Sequence, residues 1–321
     1  MKQQGNLFDE LVSIENLERA HKKARRGKSH YQEVQWVNEN EDFAFKSIQQ
    51  MLINGTFRTS RYRVEHALKG NKMRTIHKLP YFPDRIVQHA LVNVCYEAWT
   101  RSMIRDTFQS IPGRGTTGCF RRTRHAVQFH KPRYSMKIDI RKFYPSAKPE
   151  HILQPRIFRI KCKRTFALLS EIINSLPFLP LGNHTSQYAG NLLLSPLDWY
   201  AKQNLGIKFY FRYCDDIIIL HDDREYLLYV REVIRQRLAL VDLIIKDDLE
   251  ICDLDTQFLD FVGYRINHHQ VLLRKQLASN FKRACRTGRK KALPSYYGWI
   301  KHANAKRLWH KHTGCYQWKL S

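Results

Sequence analysis

Beyond Asp260 the sequence has no acidic residue at all, while fourteen lysines and arginines follow. That excludes a tail of mixed, mutually neutralising charge and points to a polyanionic partner. The imbalance runs through the whole chain, with 55 basic against 29 acidic side chains and a formal charge of +26. No CxxC pair occurs among the seven scattered cysteines, which argues against a disulfide framework or a zinc ribbon and for reduced thiols in a cytosolic protein. The spacing of His310, His312 and Cys315 fits no common metal site. There is no apolar leader at the N-terminus and no run of membrane-spanning length, so a soluble, cytoplasmic protein without a membrane partner is expected. Internal repeats and low-complexity linkers are lacking too.

What is present suits a folded chain. Of 321 residues 43% are hydrophobic and 12% aromatic, enough for two or three packed subdomains. Apolar spacing predicts a helix over 7–26 (Leu7, Leu11, Ile14, Leu17) running into the basic cluster 19–28, which either contacts phosphate or is a solvated helix end. A second helix is expected from Asn38, with Glu41 completing a capping box and Phe45, Ile48, Met51 and Leu52 buried. Alternation from Tyr62 to Pro80 predicts a hairpin with a basic tip at Lys69, Lys72 and Arg74. A long helix should follow Pro83-Asp84, then a turn-rich loop over 111–118 whose small residues admit a phosphate chain. Further helices are expected near 163–176, 188–204, 223–240, 275–287 and 294–310, and a hairpin over 258–273. The late aromatics Tyr296, Tyr297, Trp299, Trp309, Tyr316 and Trp318 could pack or stack on bases.

The chemistry concentrates in Tyr213-Cys-Asp-Asp216, between the strand-like runs GIKFYFR and IIIL. Two adjacent carboxylates in a tight turn repel, and a divalent metal is the usual remedy. Alone, two aspartates in a turn are more often hairpin chemistry. A third, Asp139, ends the strand-like run 134–140. Three such carboxylates could hold two ions about 3.5–4 Å apart and clamp the attacking and leaving oxygens of nucleotidyl transfer.

Taken in order, the motifs resemble those of a reverse transcriptase over about residues 60–275. Arg74–Pro80 with Asp84–Leu91 is similar to the family's first fingers motif, and Pro112–Thr116 to its second. Lys137–Tyr144 is similar to the first palm motif, Leu179–Gly182 with Ser186 to the next, Tyr213–Asp216 to the YxDD box, and Phe261–Tyr264 to the primer-grip hairpin. The resemblance implies an α+β right-hand polymerase, with an N-terminal basic extension at 1–29, fingers at 30–132, a palm at 133–270 (its segment 150–182 close to the fingers) and a thumb at 271–321. It implies Asp139, Asp215 and Asp216 as catalytic ligands of two Mg²⁺ ions, with Mn²⁺ as a substitute, and deoxynucleoside triphosphates as substrates. Lys72, Arg74, Leu181 and Gly182 would hold the incoming nucleotide, with Tyr144 against its sugar 2′-position unless that ring is simply core. Arg85, Arg114, Gln187, Tyr213 and Gly263 would contact template or primer. Lys246 is either the proton donor to pyrophosphate or a surface strand lysine, and Cys214 is no nucleophile.

One departure narrows the resemblance. Most of the family has Gln-Gly and Ser-Pro where this chain has Leu181-Gly182 and Ser186-Gln187. The pattern LPLGNHTSQ is similar to reverse transcriptases of diversity-generating retroelements, bacterial or phage-encoded enzymes that copy a template RNA with errors opposite adenine. Leucine at 181 neither donates nor accepts a hydrogen bond, so a mispair would lose less there relative to a correct pair. The subfamily implies a basic, oligomeric accessory variability protein besides the RNA and cDNA partners. The chain is expected to end after a short thumb, without maturase, endonuclease or RNase H extension, and it lacks the Val-Thr-Gly of retron enzymes. A reverse transcriptase of another bacterial element, or a scaffold without catalysis, remains as an alternative.

Overall fold

The computed structural model describes residues 7–69 and 72–314. The expected turn residues Gly70 and Asn71, and Cys315, Tyr316 and Trp318, lie outside them. The chain divides into two compact units, each assembled from separate stretches. No helix among the described residues is long and apolar enough to cross a membrane.

The first unit comprises Met1–Arg105, Ile140–Asn204 and Ile234–Ile245. Where one helix was expected over 7–26 there are two, Leu7–Val12 and Ile14–Ala24. Ser13 is extended between them, and its Oγ accepts from the Asn16 N–H at 3.2 Å, so a hydroxyl cap restarts the helix. The helix expected from Asn38 instead runs Glu41–Ile53, preceded by an unforeseen helix Gln32–Glu39. Asn40 stands at the junction and donates to the Trp36 carbonyl at 2.9 Å, closing the earlier helix rather than capping the later one. Around these packs Ile86–Ser102, with Val87, Ala90, Leu91, Val94, Cys95 and Trp99 all buried. It is entered through a kink over Tyr81–Arg85, where Phe82 is extended and the side chain of buried Asp84 accepts from the Ser60 N–H at 3.0 Å. Helix His184–Gln203 begins four residues before the expected Tyr188, because Asn183 provides the extended residue that precedes it. Strands β1 (Arg63–Lys69) and β2 (Lys72–Lys78) form the expected antiparallel hairpin, Arg63 opposite Lys78 and Ala67 opposite Arg74.

The second unit comprises Asp106–Asp139, Leu205–Val233 and Lys246–Ser321. Its main sheet contains β3 (Thr107–Phe108), β4 (Tyr134–Asp139), β5 (Phe209–Tyr213), β6 (Asp216–His221) and β7 (Glu250–Asp253), in the order β3-β5-β6-β4-β7. Only β3 runs parallel to its neighbour; the other pairings are antiparallel. The central β6 is buried at four successive positions, Ile217–Leu220, as a strand covered on both faces must be. A small meander of β8 (Leu259–Phe261), β9 (Tyr264–Ile266) and β10 (Val271–Leu273) shares one core with Phe211, Ile218, Leu220, Phe281 and Trp309. The expected helix 294–310 is two, Leu293–Ile300 and Lys306–Thr313, so Trp309 turns back into that core beside Phe281.

Candidate functional site

Tyr213 closes β5 and Asp216 opens β6 as cross-strand partners, leaving Cys214 and Asp215 as a two-residue loop. Cys214 adopts a left-handed φ of 58°, a conformation at home in tight hairpin loops. The loop is braced from below and from the side. Arg212 is completely buried, and its guanidinium donates to the Cys214 carbonyl at 2.8 Å. The Cys214 N–H donates to the Phe108 carbonyl of β3 at 3.4 Å, and the Tyr213 hydroxyl lies 3.0 Å from Thr116 Oγ1. Neither β3 nor Arg212 carries a readable sequence signal. A two-residue strand has no periodicity, and an arginine in a strand ordinarily marks an exposed face.

Asp139 ends β4 directly opposite Asp216, so the three aspartates converge at one end of the sheet. Lys246 joins them, its Nζ 2.5 Å from Asp139 Oδ2 and its N–H donating to the Asp139 carbonyl at 2.9 Å. Burial, then the charge of Asp215, pushes the Asp216 carboxyl up to about 6; Lys137 pulls it back, Asp139 adds a smaller push and Lys246 a smaller pull. A site that resists its own ionisation in this way is one that a cation relieves, and carboxylate oxygens are the donors hard divalent ions prefer. The residues present therefore fit a divalent metal.

This gives a pH dependence of definite sign. Between about 4 and 6 the folded metal-free protein keeps a proton on Asp216 that the unfolded chain has released, so this group's contribution to stability falls as pH rises through that window. The fall is about 1.4 kcal/mol per pH unit at most. Urea denaturation of the metal-free protein and of Asp216→Asn should show a stability difference that widens in favour of the asparagine up to pH 6. A constant difference would contradict the assignment.

In the first unit, β2 presents exposed Arg74 on the same hairpin face as Ile76 and Lys78. Lys72 opens that strand opposite Lys69; its side chain lies outside the described part. The Leu181 carbonyl accepts from the His77 N–H at 3.0 Å, tying the Leu179–Gly182 segment to the hairpin. Gly182 has φ +136°, and a Cβ there would lie 2.4 Å from the His77 carbonyl oxygen. Arg85 donates to the Gly182 carbonyl at 3.4 Å. Arg85 and Gly182 line a cavity of about 710 Å³ with Lys28, Arg61, Arg63 and Lys78, whose cations outnumber the two carboxylates in the wall, Glu65 paired with Lys78 and Glu33 accepting from the Tyr81 N–H. The cations there press on one another: burial, followed by Arg85 and Lys78, pushes the Lys28 pKa down. That is an environment for an anion. Gln187 is exposed on helix His184–Gln203, and Tyr144 lies on the one-turn helix Phe143–Ser146.

The remaining expected residues are in the second unit, away from the β5–β6 turn in sequence. Arg114 belongs to the loop before helix Thr116–Phe129, its carbonyl accepting from Gln109 at 2.9 Å. Gly263 forms the β8–β9 turn at φ +88°, and a Cβ there would meet the Trp299 ring at 2.6 Å. Glu150, His151 and Asp242 also bring possible ligand atoms within 4.8 Å. Lys148 already holds Asp242 at 2.8 Å, and with His151 it keeps that carboxyl down at about 2, so ion pairing accounts for the group.

A family model described as reverse transcriptase (RNA-dependent DNA polymerase) matches residues 67–261. No curated protein matches the sequence. Among solved structures, the fold is similar to that of Candida albicans telomerase in complex with a TWJ fragment of telomeric RNA, with a TM-score of 0.50 at 9% identity, covering 79% of this chain and 55% of that one. For the corresponding Candida tropicalis complex the TM-score is 0.50 at 11% identity, covering 83% and 58%. The chain spans little more than half the length of these telomerases, and identity this low speaks to fold alone: α+β, of the right-hand polymerase kind. Domains matched by the family model generally use divalent metal ions.

Proposed function

The chain belongs to the reverse transcriptase family, and we propose that it is an RNA-directed DNA polymerase whose carboxylates Asp139, Asp215 and Asp216 hold two Mg²⁺ ions. The observation that carries this is the meeting of β4 and the β5–β6 turn, with Asp139 opposite Asp216. The ions, when bound, would lower the barrier by neutralising charge on the transferring phosphoryl group. The chain's own part is alignment. Arg212 and β3 fix the turn, so the carboxylates need no reorganisation on binding. We assign to Lys246, which pairs with Asp139, the gift of a proton to pyrophosphate. We assign Lys72, Arg74, Tyr144, Leu181 and Gly182 to the incoming nucleotide. Arg85, Arg114, Gln187, Tyr213 and Gly263 are assigned to template and primer. We propose fingers, palm and thumb with the boundaries given above.

The finer reading is a mutagenic enzyme of a diversity-generating retroelement, working on a template RNA with a basic accessory protein. It rests on Leu181 and Gln187. Leu181 makes its hairpin contact through its backbone and has a half-buried side chain, so glutamine is sterically tolerable there. Primer extension on an adenine-containing RNA, followed by sequencing of the cDNA, should show errors concentrated opposite adenine. Leu181→Gln should reduce them several-fold, since a polar group there penalises mispairs by about 1 kcal/mol or more. Errors spread evenly over template bases would refute the mutagenic reading and leave the polymerase standing.

A further inference from the structure

At the far end of the palm-like sheet from the aspartates lies a chain of rings that the catalytic reading does not use. His125 and Phe129, one turn apart on helix Thr116–Phe129, stack with centroids 5.0 Å apart. Phe129 meets His130 at 5.1 Å, and His130 meets Phe209 at 4.9 Å. Lys208 lies over the Phe209 ring at 5.1 Å. Phe129 is 73% exposed, an unusual position for a phenylalanine with a core beside it. Between the helix and β5 opens a cavity of about 470 Å³, walled by Arg121, His125, His130, Lys208 and Phe209. The one carboxylate in its wall, Asp106, is engaged by Arg122. Arg124 and Lys131, next in sequence to His125 and His130, are further exposed cations.

We propose that this patch is a stacking site for single-stranded nucleic acid, separate from the catalytic turn. Flat exposed rings flanked by cations are what unpaired bases on a phosphate backbone require, and the stacking is sequence-tolerant. The cationic rim disfavours a basic protein as the occupant. The separation follows from register: Phe209 pairs with Leu220 while Tyr213 pairs with Asp216, so β5 carries the two sites at opposite ends, ~13 Å apart along the strand. A strand held here would be one that has not yet entered the catalytic site or has left it.

The test uses the full chain carrying Asp215→Ala, so it is independent of polymerase activity, and fluorescence anisotropy with a labelled oligouridylate of about twelve nucleotides. Phe129→Ala should raise Kd about tenfold, and Phe129→Tyr should leave it unchanged. Lys208→Gln should lower the slope of log K against log salt by about one. A 4-thiouridine oligonucleotide should crosslink within His125–His130. The same measurements with oligodeoxythymidylate distinguish the source: weakening for RNA alone assigns the site to template, and weakening for both assigns it to cDNA as well. Unchanged affinity in Phe129→Ala, or crosslinks that bypass this segment, would overturn the proposal, whatever the outcome of the primer-extension assays.

Discussion

Asp215→Ala should lower primer extension on RNA by about a thousandfold or more while the protein stays folded. The size follows from the role proposed for this carboxylate: without it the site would hold its divalent ions less well and lose charge stabilisation where the transition state needs it most. The fold should survive because the turn is held by other groups, namely the buried Arg212 guanidinium on the Cys214 carbonyl and the Cys214 N–H on Phe108. A second readout comes with it. Asp215 is the charge that contributes most to raising the Asp216 carboxyl, so its removal should bring the Asp216 titration below 6, measurable by NMR on the metal-free protein. Retained extension would sink the enzyme reading. Lost extension with an unmoved Asp216 titration would mean that the loop had rearranged.

Gly182→Ala should destabilise the protein by about 3 kcal/mol or more, an expectation about folding rather than chemistry. Two effects add. At φ +136° any side chain is strained, and the new Cβ would lie 2.4 Å from the His77 carbonyl oxygen, a backbone atom that cannot swing aside. Relief requires β2 to move off the Leu179–Gly182 segment, giving up the His77 N–H to Leu181 carbonyl bond. Gly55→Ala is the control. Gly55 also has positive φ, +68°, but a Cβ there meets nothing within 4 Å, so strain alone should cost about 1 kcal/mol. Urea denaturation of the two variants separates these contributions. Equal losses would show that the hairpin does not bear on Gly182.

Much of this architecture could be read from local pattern. The β1–β2 hairpin, the helix after Pro83 and the β5–β6 turn all announce themselves by alternation, helical spacing or turn chemistry within a dozen residues. Helix boundaries were less legible. One residue, Ser13, split an otherwise continuous apolar stripe, because a hydroxyl that caps the next helix competes with carrying on the first. Asn40 displaced the expected start at Asn38 because its amide found the Trp36 carbonyl.

The sequence by itself determined that one aspartate ends a strand and two more share a tight turn, that the chain is basic and becomes wholly so after Asp260, and that its motifs fall in the order of a polymerase. These are properties of composition and spacing, which need no partner to be seen. Only the tertiary structure decided that Asp139 faces Asp216 across β4 and β6, that Arg212 is buried beneath the loop, that Lys246 reaches Asp139, and that His125, Phe129, His130 and Phe209 join into one surface. The meetings of Asp139 with Asp216, of Lys246 with Asp139 and of His130 with Phe209 depend on strand register or on packing between segments tens of residues apart, and the burial of Arg212 depends on what packs around its strand. No short window of sequence contains both sides of such a contact.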